Sequence, residues 1–157
     1  MKKTIIALIM ALTAIGGYAM IETLSIEQLV QGADVVVKGR ITAVKPAGKL
    51  PEGPEILACL FEVNEAMKGE AKAGENLKIK NYRGVEDMPE FSEGTTYVLF
   101  LKKNENHYEV FNSIQGSWPI DEHGKLQGMG YGKTIEQIKA VIDSIPLKQP
   151  RFEPLTL

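Results

Sequence analysis

Between Asp34 and Ser113, apolar and polar residues alternate with period two in one stretch after another. No other feature constrains the fold of this chain as much. A strand points successive side chains to opposite faces, so alternation marks a ribbon with one face buried. In residues 34–45, Val35, Val37, Ile41 and Ala43 share one face, and Lys38, Arg40 and Thr42 share the other. Gly39 interrupts this run, as glycine does at a bulge or a sharp bend. Over 56–67 the inner face is Leu57, Cys59, Phe61 and Val63, and over 76–82 it includes Leu77 and Ile79. Residues 95–101 are apolar on both faces, which suits a central strand or one covered by a helix. Residues 107–113 pair back through a polar turn as a hairpin, and Trp118-Pro119-Ile120 adds a short last strand.

Helices flank the strands. Ser25 and Gln28 have the spacing of a capping box, Leu24 and Leu29 that of a hydrophobic staple, and Gly32 supplies the exit. Thr134 and Gln137 form a second box, followed by Ile135, Ile138, Ile142 and Ile145 on one helical stripe that Pro146 ends. Residues 46–55 contain three prolines and read as a loop, and 83–94 read as irregular. About five strands, joined mostly as meanders, predict a mainly β chain: a small antiparallel barrel or sandwich with the two helices over an open end or face.

The first nineteen residues predict an address. Lys2 and Lys3 precede an apolar run from Ile5 to Ile15, and Gly17-Tyr18-Ala19 offers small residues at a cleavage site. That is the build of a secretory signal peptide, shorter than the ~20 residues of a spanning helix. The expected organisation is a leader over 1–19, one domain over 20–146, and a proline-containing tail over 147–157. The product is expected in the periplasm or secreted medium of a bacterium. The leader holds two lysines and no acid, so the remaining 138 residues carry 16 basic and 20 acidic side chains, a charge of −4. That sign, with only Lys78 and Lys80 outward on the third strand, argues against nucleic acid, which wants a positive groove lined with aromatics. A single cysteine, Cys59, leaves stability to packing alone.

No familiar catalytic pattern survives a check of its spacing. Gly128 to Thr134 precedes a helix as a phosphate loop does, but Gln127 stands where the first glycine belongs. His107 and His123 lack the third and fourth ligands and the spacing of a zinc site. Cys59 lies on an apolar strand face, where a thiol is inert. Ser113 and Ser117 lack a nucleophile elbow. Asp87 with Glu90, and Glu52 with Glu55, read as solvated loop carboxylates. No cofactor and no metal are expected.

Two stretches resemble a known family. Ala33-Asp34-Val35-Val36-Val37-Lys38-Gly39-Arg40 opens the first long strand, and Phe61-Glu62-Val63-Asn64-Glu65-Ala66-Met67-Lys68-Gly69 ends the second. The pairing is similar to the netrin-like module of the tissue inhibitors of metalloproteinases. That resemblance implies a five-stranded barrel of the oligonucleotide/oligosaccharide-binding type over about residues 25–120. Those inhibitors begin with a zinc-chelating cysteine, whereas the expected first mature residue here is Met20, so no inhibitory residue carries over.

The expected function is a non-enzymatic exported module that binds a protein or peptide. Its candidate contacts are Met20, Tyr82 and Trp118, with loops 46–55 and 102–106 beside them. Two alternatives stand: a zinc-peptidase inhibitor acting through its mature N-terminus, and a small hydrolase whose residues converge only in space.

Overall fold

The computed structural model describes residues 22–146. The leader, Met20 and the tail from residue 147 lie outside the described residues. Helix α1 (Ile26–Gly32) is followed by strands β1 (Val35–Lys49), β2 (Glu55–Lys68), β3 (Asn76–Arg83), β4 (Thr96–Lys103) and β5 (Tyr108–Val110). A 3-10 turn (Ser113–Gly116), strand β6 (Ser117–Ile120), a second 3-10 turn (Gly128–Gly130) and helix α2 (Ile135–Ser144) complete the order.

The sheet runs β1-β2-β3-β5-β4, and β4 returns to β1, so five strands close into a barrel. Closure removes the exposed edges of an open sheet. Every ladder is antiparallel except the parallel β3–β5 contact, made at one pair, Ile79 with Tyr108. β6 pairs with the first half of β4, and β5 with its last residues.

Alternation and burial agree along the strands. Val37, Ile41, Phe61, Ile79 and Leu99 fill the barrel. β1 and β4 are apolar on the outside as well, and there Val36, Val98 and Phe100 meet Leu29, Val30, Trp118 and Ile138 in a second core beneath the helices. The two-faced apolar stretch of β4 is therefore a strand with the barrel interior on one side and the helices on the other.

Both helices begin as their sequences predict. Ser25 Oγ accepts from Gln28 N and Thr134 Oγ1 from Gln137 N, and each glutamine reaches back to the cap. Lys68, at the end of β2, donates to the Val30 and Ala33 carbonyls at 2.6 Å. A cation there complements the negative end of α1. Lys139 pairs with Glu65 and ties α2 to β2.

Two expectations, one of a loop and one of a strand, need correction. β1 continues through Pro46 to Lys49, leaving a short turn at 50–54. Past Arg40, β1 is paired with β2 alone, so the missing N–H of Pro46 costs no ladder bond on the free edge. The 107–113 strand is shorter than expected, because Asn112 and Ser113 take positive φ and turn the chain into a 3-10 corner.

Asp34, at the junction of α1 and β1, gives a pH prediction. The Lys103 backbone N–H at 2.8 Å, helped by Lys102, holds its carboxyl below the usual range. Its stabilisation is complete above the unfolded-state pKa of about 3.9 and is lost as pH falls through the lower folded value. The side chain is 45% exposed, which keeps the effect below about 1 kcal/mol. Asp34→Asn is expected to flatten the fall of Tm below about pH 4, as read by thermal melts; parallel acid limbs for the two proteins count against it.

Candidate functional site

The chain between β3 and β4 crosses one end of the barrel and is pinned at four points. The Asn81 Nδ2 donates to the Pro89 carbonyl at 2.8 Å. Ser92 N donates to the Tyr97 hydroxyl at 3.0 Å, and Val44 N donates to Glu93 Oε1 at 3.0 Å. Ile114 N donates to the Asp87 carbonyl at 2.8 Å. Phe91 stands edge-on to Tyr97, ring centres 5.3 Å apart. A segment without regular structure is thereby tied to the barrel and to the 3-10 corner.

Between this loop and the β1–β2 hairpin lies a mouth of about 340 Å³. Val44, Leu57 and Phe91 give it apolar walls, and Asn81, Tyr82 and Glu90 give it polar groups. Asn81 is 1% exposed. It faces the barrel interior after Leu77 and Ile79, opposite Leu57. Its Nδ2 is committed to Pro89, which leaves Oδ1 as a buried acceptor with no partner, the sole such side-chain atom among the described residues. An orphaned buried acceptor costs about 1–3 kcal/mol.

Two further cavities lack this feature. One of about 410 Å³ adjoins the mouth through Met88, Pro89 and Glu90. The other, about 460 Å³, lies beside the start of α2 and includes Lys133 and Thr134. There the Thr134 hydroxyl is occupied as a helix cap, and Lys133 Nζ sits 5.8 Å from the Trp118 ring centre. Residues 128–130 form a turn packed on that indole, so the glycine-rich stretch before α2 serves packing.

No protein-family model matches the chain, and no curated protein matches it.

The expected contact residues separate. Tyr82 borders the mouth, with Lys80 Nζ 5.5 Å from its ring centre. Trp118 is a correction: it is 1% exposed and forms part of the second core, so it offers no surface to a partner. Its position on β6, on the outside of β4 under the helices, puts it there. Met20 lies outside the described residues. The 102–106 turn lies away from the mouth. It follows the end of β4, where Leu101 pairs with Val35 at the start of β1, whereas the mouth lies where β1 ends and β2 begins.

The candidate chemical groups are engaged elsewhere. Cys59 is fully buried, and burial pushes its thiol up to about 11, far from thiolate formation near neutrality. His107 Nε2 lies 3.2 Å from Glu109 Oε1. Asp121 Oδ1 accepts from Lys125 N at 2.8 Å and His123 N at 2.9 Å, bonds that hold its carboxyl below the usual range and shape the 121–125 turn. Glu55 pairs with Arg83 at 2.8 Å. None of His107, His123, Asp121 or Cys59 borders any of the three cavities. Among the described residues no group of three or more histidine, cysteine, aspartate or glutamate side chains is placed to hold a metal ion. No described helix is long and apolar enough to cross a membrane.

Asn81 was missed by the sequence reading, yet its signal was available. The alternation that sends Leu77 and Ile79 inward sends residue 81 inward too, and a polar side chain on a core face needs a reason.

Proposed function

We propose that this chain is a non-catalytic binding module, exported from the cytoplasm, that holds a protein or peptide segment at the mouth of its barrel. The observation that carries this reading is the partnerless, buried Oδ1 of Asn81, a residue that lines a mouth with apolar walls. Recognition sites pair a mostly apolar concavity with a few placed polar groups. The pinned loop supports it further, because a mouth held in shape before binding loses less entropy when filled. The sequestered thiol, and histidines that border none of the three cavities, favour binding over turnover. The leader expected at residues 1–19 supports export.

Panning a displayed peptide library against the protein tests the reading. Selected peptides are expected to bind the unmodified chain and to lose at least about tenfold in affinity when Val85, exposed at the rim, becomes aspartate. Peptides that bind both forms equally, or turnover of a substrate without retained peptide, would sink it. Mass spectrometry of the exported product is expected to find Met20 first; a cytosolic chain retaining residues 1–19 contradicts export.

A further inference from the structure

We propose that the mouth receives a primary ammonium on a short aliphatic chain, the end of a lysine side chain in the bound segment. This rests on the mouth being the recognition site and names the group it recognises. The sense of the Asn81 amide is set by its neighbour: reversing it would turn Oδ1 toward the Pro89 carbonyl oxygen, acceptor against acceptor. The free atom is therefore an acceptor, and what it lacks is a donor.

The charges at the rim say which donor. Arg83 is engaged by Glu55 at 2.8 Å, which cancels the cation that borders the mouth. Glu93 is turned to the Val44 amide. Glu90 borders the mouth, is exposed, and forms no salt bridge among the described residues. One buried amide oxygen and one free carboxylate suit a cation with hydrogens to donate. They repel a carboxylate ligand. A guanidinium prefers a bidentate fork of acceptors, whereas an ammonium is a compact charge with three independent donors. Val44, Leu57 and Phe91 supply the apolar wall along which a methylene stem lies. At about 340 Å³ the mouth is near the small end of ligand sites and has room for a lysine side chain. Because Glu90 is exposed, the charged head keeps part of its water and avoids the full cost of burial.

The test is an NMR titration of the whole chain with three four-carbon probes, n-butylamine, 1-butanol and butyrate, and with acetyl-Ala-Lys-Ala-amide, the norleucine peptide serving as its control. Butylamine and the lysine peptide are expected to shift the Asn81 side-chain amide and the Leu57 methyls, at least about tenfold more tightly than 1-butanol, as a charge-assisted hydrogen bond implies. Butyrate is expected to leave them unmoved. Asn81→Leu should remove about tenfold of the amine affinity, and Glu90→Gln, an exposed change that spares the fold, about threefold, the latter fading with added salt. Amine and alcohol binding alike, butyrate binding best, no probe binding because water alone satisfies Asn81, or amine affinity untouched by Glu90→Gln would each overturn the proposal. Equal binding of the lysine and norleucine peptides would overturn the ammonium while leaving peptide recognition standing. Binding of butylamine but not of the lysine peptide would keep the ammonium site and remove the peptide.

Discussion

A Gly39→Val variant is expected to fail to fold, and Gly39→Ala to lose about 3 kcal/mol of stability. Gly39 lies where β1 is hemmed in on both edges, paired with Val63 of β2 and Tyr97 of β4. A Cβ there would stand 2.1 Å from the Glu62 carbonyl oxygen and 2.8 Å from the Phe61 ring. Phe61 is fully buried in the barrel core and has no space to retreat. The nearer atom is backbone, so relief requires β2 to move, and β2 is held by ladders to β1 and β3. The register also slips between Lys38 and Gly39, a bulge that bends β1 as barrel closure requires. Overpacking a core costs about 1–3 kcal/mol before ladder bonds are counted, and a small domain has only about 5–15 to lose. Urea titration of the alanine variant followed by circular dichroism measures the loss. A midpoint within about 0.5 kcal/mol of the unmodified chain would mean the two strands are less tightly apposed than they stand here.

Much of this fold is legible in the sequence because its information is local. Two capping boxes, the Gly39 bulge and the inward parity of β1, β2 and β3 each depend on residues a few positions apart. What alternation cannot carry is partnership. The barrel closes through one parallel pair, Ile79 with Tyr108, twenty-nine residues apart in the chain, and no pattern in either strand announces it. Pro46 misleads because proline is read as a loop residue until its strand is known to have a free edge. The division into two cores was half visible in the apolar faces of β4; its second half waited on knowing which outer face the helices cover.

The mouth was legible in part, at Tyr82 and through the parity of Asn81. Pro89, Glu90 and Phe91 were not, because they lie in a segment with no period, and their place depends on hydrogen bonds from Asn81, Tyr97 and Val44. An irregular loop becomes part of a site only through side chains far away in sequence. Trp118 is the opposite case: a lone tryptophan beside a proline at a strand start reads more often as a core lid than as a surface anchor, and the position of β6 puts it in the second core.

Trp118→Ala is expected to cost about 3–5 kcal/mol, the range for truncating a large buried aromatic. The indole is 1% exposed and meets Phe100 edge-on at 4.9 Å between ring centres. Its Nε1 donates to the Gln115 carbonyl at 2.7 Å, and losing that donor leaves the carbonyl without its side-chain partner. Gly130 packs so closely that a Cβ there would lie 2.6 Å from the indole, so the 128–130 turn has no side chain with which to fill the space left behind. Damage also spreads through Gln115. Its Oε1 accepts from Leu24 N at 2.9 Å and its Nε2 donates to the Leu24 carbonyl at 2.7 Å, fastening the chain ahead of α1 to the 3-10 corner. Hydrogen exchange is therefore expected to accelerate at Leu29 and Val30 of α1 and at Ile138 of α2, all in the second core, before it accelerates at Phe61 or Ile79 in the barrel. Trp118→Phe keeps an aromatic face for Phe100 and loses only the donor and part of the volume, so it should recover more than half of the stability. Uniform acceleration across both cores would mean that they unfold as one unit, with the helices carrying no separable stability of their own.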